Sequence, residues 1–202
     1  MWAIVTDNTI TKLLNNPKGL IIDDIQYSRK IFSLWSVSEK EAKGIYEVVF
    51  NNTNKKDEAY YINTNQTFAF ADGVVTASFG SATAKAHADT LYTEDDEDNG
   101  LGTEGEVATR GLKYNLIKNL KTNVANELAR TDWYITRNTE KSTAIPSAIT
   151  THRAAVRTKC AEMETAITNA ADTPALETLY TYTTDGEGVT SRPLGELPRL
   201  DS

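Results

Sequence analysis

The sequence predicts an α+β protein: a small amino-terminal antiparallel β domain with one short helix, then a carboxy-terminal helical hairpin module. Three observations carry this. Leu112, Leu116, Leu120, Val124 and Leu128 recur every four residues, the spacing of one helix face. Pro146 opens a second run whose apolar positions are Ile149, Val156, Cys160, Met163 and Ile167, again at helical spacing. Ahead of residue 80 the pattern is of short apolar runs punctuated by Asp7-Asn8 and Asp72-Gly73, residue pairs that tolerate the positive φ angles of tight hairpins. The chain therefore divides into a β-rich domain (1–80), a helical then acidic and glycine-rich connector (81–105), and the helical module with an extended tail (106–202).

Taken in order, Trp2 to Val5 and Thr9 to Leu14 predict a hairpin, and Leu20 to Ile22 a third strand. Arg29 to Trp35 alternates in part and predicts a strand buried on both faces near its end. Ser38 with Glu41 fits the capping-box spacing, in which the hydroxyl and the carboxylate each satisfy a free backbone N–H. Gly44 is placed to end that helix, and Ile45 to Phe50 follows as a strand. Tyr60 to Ile62 with Gln66 to Phe70 predicts another hairpin, and Asp72-Gly73 turns the chain into Val74 to Phe79. Ala82, Ala84, Ala86, Ala88 and Leu91 favour helix. About a dozen irregular residues separate the two long helices, a connection short enough for an antiparallel pair burying the leucine row. Asp172 is an N-cap for a last short helix with Pro174 in its first turn.

Composition narrows the function. With 21 basic and 28 acidic residues the net charge is −7 and the pI about 4.9, which excludes sequence-independent attraction to nucleic acid over the whole chain. The basic residues Lys113, Lys118, Lys121, Arg130 and Arg137 read as a solvated helix face. One cysteine, Cys160, allows no intrachain disulfide, and its position on the apolar face predicts a buried thiol. The amino terminus has no basic region or long apolar run of a signal peptide, and no stretch has the roughly 18–20 apolar residues of a membrane helix. A protein made and used in solution is expected.

Chemistry has little to work with. Asp95, Glu97, Asn99, Gly100 and Glu106 fall at positions 1, 3, 5, 6 and 12 of a calcium loop, a weak candidate metal site. Glu97 is long for the third position, Gly102 replaces the usual aliphatic residue, and no second loop occurs; a solvated acidic linker is the preferred reading. His87 and His152 lack carboxylates with metal-ligand spacing, no nucleophile elbow surrounds any serine, and no glycine loop cradles phosphate. No catalytic residue, cofactor-binding residue or cofactor is assigned, and the chain is expected not to be an enzyme. Trp133 either closes the open end of the helical pair or serves a partner as an aromatic anchor.

Leu128-Ala129-Arg130-Thr131-Asp132-Trp133-Tyr134 with Arg137, Ile145-Pro146, and Arg153-Ala154-Ala155-Val156-Arg157 resembles the carboxy-terminal module of small tailed-bacteriophage proteins, tail-fibre assembly and other tail-fibre-associated proteins among them. In these a helix ends in a Thr-Asp-Trp element, an Arg-x-x-x-Arg helix follows a proline, and a short helix leads to a proline-containing tail, here Ala175 to Tyr180 with Pro193 and Pro198. The amino-terminal part, Trp2 to Val5 through Lys30-Ile31-Phe32 and Gly44 to Val48, resembles short virion-associated proteins of marine phages. The resemblance implies a non-enzymatic virion structural protein of the tail, a fibre- or baseplate-associated adaptor assembled in the host cytoplasm. Its implied partners are other phage tail proteins (fibre, baseplate or tail-tube subunits), with a homo-oligomer in the particle and neither nucleic acid nor membrane involved. Alternatives are a tail-fibre assembly chaperone absent from the mature virion and a calcium-regulated binding module. Trp133, Arg153 and Arg157 are the candidate structural or interaction residues.

Overall fold

The computed structural model of the protein describes residues 1–64 and 66–200. The chain is α+β and divides into two compact units, Met1–Thr83 and Ala84–Ser202. No helix among the described residues is long and apolar enough to cross a membrane.

The first unit begins with the predicted hairpin, β1 (Trp2–Thr6) and β2 (Thr9–Leu14), turning on Asp7 and Asn8 at φ 49° and 59°. A second hairpin, β3 (Leu20–Ile22) and β4 (Ile25–Tyr27), turns on Asp23 and Asp24, also at positive φ. Helices α1 (Ile31–Leu34) and α2 (Val37–Glu41) precede β5 (Ile45–Asn51), β6 (Tyr61–Ile62), β7 (Thr67–Ala71) and β8 (Val74–Ser78). Five strands form one sheet in the order β2-β1-β5-β8-β7, in which β5 and β8 run parallel and every other pair antiparallel. Alternation assigns its faces. Ala3, Val5, Val48, Val75 and Ala77 cluster on one side. Trp2, Ile4 and Ile45 pack from the other against Leu14, Leu20, Ile31 and Phe32.

Three expectations change here. Arg29 to Trp35 holds α1 rather than a strand, because Ile31, Phe32 and Trp35 fall on one helical face and dock on the sheet, with the Phe32 ring 5.1 Å from Trp2. The unit thus has two short helices instead of one. The capping box is built by Ser36 and Glu39, not Ser38 and Glu41: the Ser36 amide donates to Glu39 Oε2 at 2.8 Å and the Glu39 amide to Ser36 Oγ at 3.2 Å. β7 pairs with β8 across Asp72-Gly73, not with Tyr61–Ile62, since both turn residues take the positive φ a two-residue hairpin needs. Gly44 does adopt the left-handed conformation, at φ 71°.

The second unit contains β10 (Thr90–Leu91), which follows the short β9 (Thr83–Ala84), then α3 (Glu94–Asp98), β11 (Val107–Thr109), α4 (Leu112–Ala129), α5 (Asp132–Lys141), α6 (Ser147–Asn169), α7 (Thr173–Tyr180), β12 (Thr183–Thr184) and β13 (Thr190–Ser191). α4 and α6 lie antiparallel: Lys113 reaches the Thr168 carbonyl, Lys121 pairs with Glu164, and Glu127 meets His152. Leu120 and Val124 of the leucine row are buried on α4, and Ile149, Val156, Met163 and Ile167 on α6, while Leu112, Leu116 and Leu128 are partly covered. Asp172 caps α7 through the Ala175 amide, with Pro174 in the first turn.

Residues 85–89 form no regular element and bend at His87 and Ala88, against the helix their alanines favour. Their backbone serves neighbouring helices instead. The Leu112 and Lys113 amides donate to the carbonyls of Ala86 and His87, and Thr173 donates to that of Lys85. The first amides of α4 have no partner within the helix, so this segment supplies the acceptors that a helix of its own would consume. Gly111 sits so close to Ala88 that a Cβ there would lie 2.2 Å from the Ala88 carbonyl oxygen. The acidic stretch is likewise folded, as α3, capped reciprocally by Thr93 and Asp96.

Candidate interaction surface at the helical corner

The two long helices are not joined by an irregular loop. α4 stops at Ala129, and α5 starts again at Asp132 after two residues. Thr131 makes the corner. Its hydroxyl and its amide both donate to the Leu128 carbonyl at 3.0 Å, and the residue is only 2% exposed.

Arg153 of α6 fastens this corner. Its Nη1 donates to the Leu128 carbonyl at 2.7 Å, to Thr131 Oγ1 at 2.7 Å and to Asp132 Oδ1 at 2.8 Å. The guanidinium is buried, so these charge-assisted bonds offset the desolvation that an unpaired cation would suffer. The Leu128 carbonyl is one of the last four of α4, which have no partner inside the helix. Thus Thr131, Asp132 and Arg153, distant in sequence, converge on one helix end. Next to them Glu127 holds both His152, at 3.1 Å, and Arg130, at 3.1 Å, in a second link between α4 and α6.

α5 presents an aromatic and cationic face. The Trp133 and Tyr134 ring centroids are 3.9 Å apart, and the Arg137 guanidinium lies 4.6 Å above the first and 5.4 Å from the second. Trp133 remains 51% exposed. It therefore does not close the helical pair as a core residue would. α5 ends where Ser142 turns left-handed, φ 51°, and Asn138 donates to the Thr143 carbonyl.

No protein-family model matches this chain, and neither does any curated protein or solved structure.

Of the candidate residues, the structure brings Arg153 to the corner and leaves Trp133 presented beside it. Arg157 lies one turn further along α6, exposed and apart from the cluster. The calcium-loop residues do not form a loop: Asp95 and Glu97 belong to α3, Asn99 is its C-cap and donates to the Asp95 carbonyl, and Glu97 accepts from the Glu104 amide. The stretch takes a capped helix instead of a loop, and no group of three or more ligating side chains converges among the described residues. Cys160 is half-buried, and burial, then the nearby Glu164 charge, push its thiol up, partly offset by Lys121. Such a thiol is a poor nucleophile. What the sequence reading missed is the role of Arg137. Its spacing of four from Trp133 and three from Tyr134 is a stacking signal once the segment is helical.

Proposed function

We propose that this chain is a non-enzymatic structural component of a bacteriophage tail, an adaptor at the fibre or baseplate that holds another tail protein. The observation that carries the reading is the corner itself. The Thr131, Asp132 and Arg153 positions through which the chain resembles tail-fibre-associated proteins act as one hydrogen-bonded unit, and that unit sets Trp133 outward on a short helix. A buried arginine spent on fixing a helix end, next to a half-exposed tryptophan, suits a rigid platform for a partner better than a site of catalysis. Several copies, arranged symmetrically in the particle, are expected of such an adaptor.

The test is mass spectrometry of purified phage particles against the infected-cell lysate. Recovery of the chain in the particles is the expected result. A chain abundant in the lysate and lacking from particles would instead make it an assembly chaperone for the fibre.

A further inference from the structure

The geometry points to the α5 face formed by Trp133, Tyr134, Arg137 and Lys141 as the docking site for an acidic segment of a partner protein, one carboxylate of which engages Arg137 while an adjacent apolar side chain covers Trp133. This goes beyond the tail assignment and holds whether the chain stays in the particle or acts only during assembly.

Charge and hydrogen-bond accounting single out this face. Spacings of three, four and seven or eight place the four side chains in one row along α5. Arg130, one turn earlier, is already neutralised by Glu127, and Asp132 is taken by Arg153. Among the described residues no carboxylate pairs with Arg137 or Lys141; the acids of α5 are Asp132, paired with Arg153, and exposed Glu140. With Asp132 committed to Arg153, Arg137 and Lys141 against Glu140 leave α5 one positive charge in excess on a chain of net charge −7. Arg137 Nε is, among the described residues, the buried side-chain nitrogen left without any hydrogen-bond partner. Because Nε is buried, an acceptor from outside would engage the terminal nitrogens of Arg137 and not Nε.

The chemistry of the occupant follows. Both rings lie on one side of the guanidinium, 4.6 and 5.4 Å from its carbon, and its two terminal nitrogens are left to meet a carboxylate end-on. Half-exposed Trp133 supplies apolar area beside them, and tryptophan with arginine is the pairing that dominates interface hot spots. A basic or purely apolar segment would leave the fork unmet.

A random dodecapeptide display library selected on the intact protein tests this. The expected result is enrichment of peptides that combine Asp or Glu with a neighbouring aliphatic or aromatic residue. Their binding should fall about tenfold or more in both Arg137→Gln and Trp133→Ala, and Arg157→Gln should leave it unchanged. Circular dichroism of each variant checks that the helices persist; should Trp133→Ala unfold, Trp133→Leu with Arg137→Gln decides. Enrichment of neutral or basic peptides, no enrichment, or binding insensitive to Arg137 would overturn the proposal. So would a concentration-dependent dimer of the wild type that dissolves in Trp133→Ala, which assigns the face to a second copy.

Discussion

Replacing Arg153 by Met keeps the apolar stem and removes the Nη1 donor that closes the corner. Hydrogen bonds from a charged donor to buried partners are worth about 1.5–3 kcal/mol, so the Leu128 carbonyl and Thr131 hydroxyl together account for about 3 kcal/mol. The Asp132 side chain is 58% exposed, and water takes over most of its interaction, leaving under about 0.5 kcal/mol for that ion pair. Leu128 keeps the Thr131 amide and hydroxyl as donors, so no carbonyl is orphaned. Relief from burying a cation offsets about 1 kcal/mol, for a net loss of about 2–3 kcal/mol. Urea unfolding followed by the helical circular-dichroism signal reads this as a midpoint lowered by about 1–2 M. Thr131→Val should cost about 1–2 kcal/mol and Asp132→Ala under about 0.5 kcal/mol by the same reasoning. Arg153→Met within about 0.5 kcal/mol of wild type, or Asp132→Ala as damaging as Arg153→Met, would refute it.

Gly44→Ala is expected to destabilise the first unit: a left-handed φ of 71° costs an alanine about 1–2 kcal/mol, and its Cβ would stand 2.3 Å from the Val5 carbonyl oxygen. Thermal melts of the β-sheet signal measure this, and an unchanged melt contradicts it. Asp89, which accepts from the Gly111 amide and then from Arg110, has its carboxyl held below the usual range. A depressed folded value contributes stability above the unfolded pKa of about 3.9 and loses it as pH falls through the folded value. Wild type should therefore exceed Asp89→Asn in melting temperature near neutral pH, and the gap should close in strong acid; a gap independent of pH would disagree. The Cys160 thiol, pushed up by burial, should react with iodoacetamide more slowly than a free thiol at mildly alkaline pH and at the free rate once urea unfolds the chain. Equal rates in both states would contradict the buried environment.

Local chemistry made much of the fold legible. Asp7-Asn8, Asp72-Gly73 and Gly44 can take positive φ cheaply, and each does. The leucine row and the Asp172 cap depend only on helical periodicity and near neighbours, so they too could be read from sequence. Elements decided by distant partners could not. Ile31 and Phe32 choose helix because Trp2 and Ile45 await them on the sheet. Residues 85–89 give up helix because α4 and α7 need their carbonyls. At the corner, Trp133 and Arg153 carried a pattern, while Arg137 read as a solvated basic residue because α5, with the weak helix formers Asn138, Thr139 and Ser142 at its end, was not legible as a helix. Arg157 shares the Arg-x-x-x-Arg spacing yet stays in solvent, since the corner is filled by a single guanidinium.

The measurement that bears most directly on the tail assignment is the copy number of this chain per purified particle, counted against the major tail-tube protein. A tail adaptor built around the Arg153 corner predicts a whole multiple of three or six, in step with the symmetry of a tail. Absence from particles while the lysate holds the chain in quantity would contradict it.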